Sequence, residues 1–97
     1  MSGEDLRRLS RQLPGWKIVR EDEDAHHIQK SFLFPDFRTG LDFVNRVGEV
    51  AEEQGHHPDL HVRWGAVGVE VWTHKIDGLT ESDFYFAAKC DRALIPA

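Results

Sequence analysis

Between Asp36 and Gly55 the chain carries its longest stretch of helical periodicity, and every other element has to be arranged around it. Phe37, Leu41, Val44, Val47 and Ala51 recur at spacings of three and four, which predicts one buried stripe along an α-helix. Asp36 is placed to cap its start. Gly55 is placed to follow its end in a left-handed conformation, so the helix should reach about Gln54. A long helix with one apolar side needs a surface to cover.

The rest of the chain supplies that surface as short alternating segments. Upstream, Ser2 and Asp5 form the pattern of a capping box for a short first helix, with Leu6, Leu9 and Leu13 on one side and Pro14-Gly15 as its stop. Trp16 to Val19 reads as a strand and the acidic run Glu21 to Asp24 as a solvated turn. His26 to Phe34 follows as a second strand, in which Ile28, Phe32 and Phe34 share a parity that Lys30 interrupts.

Downstream, Leu60, Val62 and Trp64 alternate with His61 and Arg63, and Gly65 to Gly68 supply a turn. Val67, Val69 and Val71 then face one way, and Glu70, Trp72 and His74 the other. After a loop at Lys75 to Gly78, Thr80 and Asp83 form a second capping box, for a last helix with Phe84, Ala87 and Ala88 inward. The order is α-β-β-α-β-β-α. Short links within each strand pair favour hairpins, so the fold class is α+β: a four-stranded antiparallel sheet with three helices on one face, in a single domain over residues 1–97. The open face would carry Arg63, Glu70 and Trp72. An exposed tryptophan there would meet a ligand or a second subunit; otherwise Trp72 packs under a neighbouring loop.

Charge and composition narrow the function. A net charge of −5 without a basic cluster argues against nucleic acid as a partner. No apolar run is long enough to span a membrane, and the polar start MSGEDLRRLSRQ does not read as a secretory signal. A single cysteine, Cys90, fits a reducing cytoplasm. These features point to a cytoplasmic protein that handles something small.

The stretch EEQGHHPDLHVRW concentrates the chemistry. Pro58 excludes the helical region for His57, so the His56-His57 pair sits on stiff, extended backbone and its two side chains point to opposite sides. Histidine can give and take a proton near neutral pH, so His56 or His57 with His74 would make an acid/base pair. Glu52, one turn earlier, is a carboxylate able to orient an imidazole, or a solvated helix charge. His57, Asp59 and His61 share a parity that zinc could use, but paired cysteines and a helical HExxH are missing, so no metal is expected. His26, His27 and His61 read as surface histidines.

Taken together, Glu52-x-x-x-His56-His57-Pro58, Trp64 after five residues, His74 after nine more and Asp83 after eight more resemble the signature of pterin-4a-carbinolamine dehydratases. THKIDGLTESD, from Thr73 to Asp83, is similar to the TH…GLT..D ending of that family. Gly15-Trp16 and Phe34…Asp36-Phe37 are similar to it as well, so the likeness runs from Gly15 to about Ala88. The resemblance implies dehydration of 4a-hydroxytetrahydrobiopterin to quinonoid dihydropterin, in tetrahydrobiopterin recycling, with no cofactor. By position it implies His56 and His74 as acid and base, His57 and Glu52 at the pterin, and Trp64 as a wall for the flat ring. Trp64 also shares the parity of Leu60 and Val62, which predicts a core position. Asp83 is explained as a cap alone. The family implies a homodimer or homotetramer, which would give something to at least one of the three consecutive aromatics Phe84, Tyr85 and Phe86. Two other readings are a non-catalytic dimerisation or binding module and an enzyme for another pterin.

Overall fold

The structure, a computed structural model, describes residues 3–20, 26–73 and 78–94. The elements are α1 (Gly3–Arg11), β1 (Lys17–Arg20), β2 (His26–Leu33), α2 (Phe37–Gln54), β3 (Asp59–Arg63), β4 (Ala66–Val71) and α3 (Glu81–Arg92). This is the expected α-β-β-α-β-β-α order, with one antiparallel sheet in the strand order β1-β2-β4-β3. The Ser2 cap, the acidic turn at Glu21 to Asp24, and His74 to Asp77 lie outside the described residues.

Asp36 and Gly55 bound α2 as the sequence requires. Asp36 is extended, and its Oδ1 accepts the Thr39 N–H at 2.8 Å, giving a partner to a donor that the first turn cannot bond internally. That hydrogen bond holds the Asp36 carboxyl below the ordinary carboxylate range. At the other end Gly55 has φ 62°, and the N–H groups of Gly55 and His56 both return to the Ala51 carbonyl.

The buried side of α2 is rotated from the expected stripe. It consists of Gly40, Phe43, Val47 and Ala51, while Phe37 and Leu41 stay exposed and Val44 packs at the margin. Gly40 lies against the sheet on this side, where even a Cβ would make only ordinary contacts. A Cβ there would lie 3.4 Å from Val67 Cγ2 and 3.6 Å from the Phe34 ring. Phe43 then fits beside Phe32 and Phe34, with ring centroids 4.6 and 5.3 Å away. Gly48 has no neighbour within 4 Å of such a Cβ, so close packing does not explain it.

On the sheet's inner face Ile28 lies opposite Val71 and Phe32 opposite Val67, while Val69 is flanked by Leu60 and Lys30. Lys30 breaks the apolar pattern because its stem crosses this face and its Nζ reaches Asp91 of α3 at 2.8 Å. The same carboxylate accepts the Trp16 indole N–H at 3.1 and 3.2 Å, joining the entry to β1 to the end of α3. On α3, Phe84, Phe86, Ala87 and Cys90 are buried and Tyr85 is 68% exposed, as three successive aromatics on one helix demand. Burial pushes the Cys90 thiol up to about 12, which makes it inert.

Two tryptophans and one histidine depart from expectation. β3 ends at Arg63, and Trp64 with Gly65 forms the hairpin turn, Gly65 having φ 77°. Trp64 is therefore 76% exposed instead of continuing the Leu60–Val62 side into the core. Trp72 is half-buried, because its indole stacks on His27 with centroids 4.0 Å apart and planes 6° from parallel. His27 is accordingly buried, not a surface residue, and its Nδ1 lies 2.6 Å from Glu70 Oε2.

Replacing Asp36 with alanine is expected to lower the urea midpoint at neutral pH. The carboxyl is depressed in the folded state, so its contribution is present above the unfolded pKa of about 3.9 and is lost as pH falls through the lower folded value. The gap between wild type and Asp36→Ala should therefore close on acidification below about pH 4, as read by urea unfolding at a series of pH values.

Candidate functional site

His56 is the second residue past α2, and its position follows from how that helix ends. The left-handed Gly55 turns the chain, and the His56 N–H bonds back to Ala51 at 3.1 Å, so the imidazole is carried by a fixed backbone. Pro58 keeps His57, the residue before it, extended, and β3 begins directly after Pro58, at Asp59. The His56 and His57 side chains consequently part. His56 turns inward against the buried Phe86 ring of α3, centroid to centroid 5.6 Å, while His57 stays exposed.

The partner that meets His56 is Asp83, which is therefore more than a cap. His56 Nε2 lies 2.6 Å from Asp83 Oδ1. The carboxylate is fully buried, and the His56 side chain is 15% exposed. Asp83 does cap α3, since its Oδ2 accepts the Thr80 N–H at 2.8 Å, and Oδ2 also accepts the Thr73 hydroxyl at 2.8 Å. One side chain thus performs both tasks, one oxygen for each. This holds the imidazole by one ring nitrogen and leaves the other for a substrate, an arrangement suited to proton transfer.

Glu52 meets the other histidine. Its Oε2 lies 2.7 Å from His57 Nε2 on the outer surface, so it orients His57 and does not touch His56. The structure therefore brings together His56 with Asp83 and His57 with Glu52. It does not bring Trp64 to them: Trp64 lies beyond the far end of β3, whose five residues span about 17 Å. His74 lies outside the described residues, although its neighbour Thr73 is bonded to Asp83. Among the described residues no three His, Cys, Asp or Glu side chains gather as metal ligands.

The family model described as pterin 4 alpha carbinolamine dehydratase matches residues 1–93. The chain belongs to this family. Among similar members, a protein of Rubrobacter xylanophilus named as a candidate pterin-4-alpha-carbinolamine dehydratase is 63% identical over 95% of this chain and 82% of its own length. Pterin-4-alpha-carbinolamine dehydratase 2 of Arabidopsis thaliana, a mitochondrial protein, is 44% identical over 92% of this chain and 48% of its own. The crystal structure of a transcriptional coactivator/pterin dehydratase from Brucella melitensis superposes with a TM-score of 0.88 at 30% identity, covering 98% of each chain. In this dehydratase-family chain no helix among the described residues is long and apolar enough to cross a membrane.

A concavity of about 570 Å³ lies on the sheet's open face, with Lys17, Ser31, His61, Arg63, Gly68 and Glu70 among its lining residues. The expected Arg63 and Glu70 are both there. Glu70 is already engaged by His27.

The burial of the two carboxylates separates their structural weight. Asp83→Ala removes a fully buried carboxylate and the three hydrogen bonds it accepts from His56, Thr73 and Thr80, and should cost about 3 kcal/mol of folding stability. Glu52→Ala removes an exposed pair and should stay within about 0.5 kcal/mol of wild type. Chemical denaturation of both variants checks this.

Proposed function

We propose that this chain removes water from 4a-hydroxytetrahydrobiopterin to give quinonoid dihydropterin, a step of tetrahydrobiopterin recycling, by histidine general acid/base catalysis. The observation that carries the reading is the His56 imidazole held at 2.6 Å by the buried Asp83 at the end of α2. Family membership supports the pterin as substrate.

The bond changes ask for what such a site can give. The C4a–O bond breaks and the oxygen leaves as water with an added proton. The proton on N5 is removed, and its electron pair forms the C4a–N5 double bond. No electrons leave the substrate, so the step calls on proton donors and acceptors alone. His56 and His74 take the acid and base roles, each contributing roughly 10²–10⁴ in rate. His57, set by Glu52, binds the pterin from the exposed side. The protein acts in the cytoplasm as a homodimer or homotetramer.

The test is the dehydration rate of enzymatically generated 4a-hydroxytetrahydropterin, followed by ultraviolet absorbance. Wild type should exceed the spontaneous rate. In the folded fraction His56→Ala and His74→Ala should each lose about 10²-fold or more, and Glu52→Ala should mainly raise KM. A folded wild-type protein that leaves the spontaneous rate unchanged contradicts the proposal.

A second reading, a binding module, is favoured by one observation. Tyr85 projects 68% exposed between two buried phenylalanines, and the Brucella melitensis neighbour is described as a coactivator as well as a dehydratase. On this reading folded wild type leaves the spontaneous dehydration rate unchanged, and Tyr85→Ala weakens self-association in sedimentation.

A further inference from the structure

The hydroxyl of Thr73 faces the carboxylate that holds His56. Thr73 Oγ1 lies 2.8 Å from Asp83 Oδ2 and 3.0 Å from Thr80 Oγ1, and the Thr80 N–H reaches the same Oδ2 at 2.8 Å. A carboxylate only accepts, so the hydrogens of this cluster have one consistent arrangement. The Thr73 O–H points to Asp83, and its oxygen accepts from the Thr80 hydroxyl. On the other carboxylate oxygen, His56 Nε2 at 2.6 Å must then carry the hydrogen, leaving the lone pair of the neutral ring on Nδ1.

We propose that Thr73 is a positioning residue of the acid/base site. It fixes the rotation of the Asp83 carboxylate, and so presents His56 as the Nε2–H tautomer with Nδ1 as the nitrogen that exchanges a proton with substrate. This rests on the dehydratase reading above. Asp83 is fully buried, so the orientation of its carboxylate is set by these protein donors. Thr73 is itself anchored: its N–H donates to the Gly78 carbonyl at 2.7 Å, and the Gly78 N–H returns at 3.4 Å. Its hydroxyl therefore acts from a clamped backbone. Thr73 also immediately precedes His74 in sequence. One residue thus begins the segment that carries the second histidine and holds the carboxylate behind the first.

The experiment is ¹H–¹⁵N NMR of the histidine rings at alkaline pH, where a neutral imidazole has a single N–H, together with kcat and KM for the same proteins. Wild type should show His56 as Nε2–H. Thr73→Val, which keeps the branched shape and loses the donor, should show mixed tautomers, because the carboxylate can then rotate away from the ring. Its kcat should be lower by about tenfold, the low end of the loss when an outer partner of a metal-bound histidine is removed. Its KM should stay within about twofold, since substrate contacts remain. Thr73→Ser should restore tautomer and rate. An Nδ1–H tautomer in wild type would overturn the proposal whether or not the valine variant folds. So would a folded Thr73→Val with the wild-type tautomer and kcat. Wild type that holds Nε2–H, loses it in Thr73→Val and yet never accelerates dehydration would keep the positioning role and remove the dehydratase reading beneath it.

Discussion

A carboxylate sealed from water is tolerable only where donors surround it, and Asp83 is the point at which three segments of this chain meet that demand. His56 comes from the end of α2, Thr73 from just past β4, and Thr80 from the start of α3. If any of these shifted, a buried charge would lose a partner. The demand therefore fixes where α2 must stop and how α3 must enter. It makes the Gly55 turn part of the site, because the turn delivers His56 to the carboxylate. Stability and placement of the acid/base group are one constraint.

How far the sequence revealed this depends on whether a residue acts alone or through the fold. Asp36 and Gly55 could be placed because capping is local: each needs a specific backbone conformation at a helix end, and few residue types suit it. The strands could be placed for the same reason, since alternation marks a sheet with one buried face. The rotation of the α2 stripe could not. It depends on Phe43 meeting Phe32 and Phe34 and on Gly40 meeting Val67, contacts that only the assembled sheet supplies. Trp64 was misplaced because parity continues in the letters after the strand has turned. Lys30 looked like a flaw until Asp91 of α3 met it.

Asp83 shows the limit most clearly. The capping box at Thr80 accounts for Oδ2 and made the residue look explained. A carboxylate has two oxygens, however, and a buried one must place both. The unused Oδ1 was the missing signal, readable in principle from an acidic residue inside an apolar helix face. His27 belongs to the same class. A histidine at the start of β2 looked solvent-facing, yet Glu70 on the neighbouring strand β4 gives it a partner and Trp72, just past that strand, a stacking surface. In both cases the deciding contact is remote in sequence.

On the function proposed above, the pterin docks at the end of α2 and not on the open sheet face. The most direct measurement is histidine side-chain NMR during titration with 7,8-dihydrobiopterin, a stable pterin. Docking there shifts the ring signals of His56 and His57 and leaves those of His27 and His61 unmoved. Shifts confined to His61 and the resonances around Gly68, with His56 silent, would place the ligand on the sheet and contradict it.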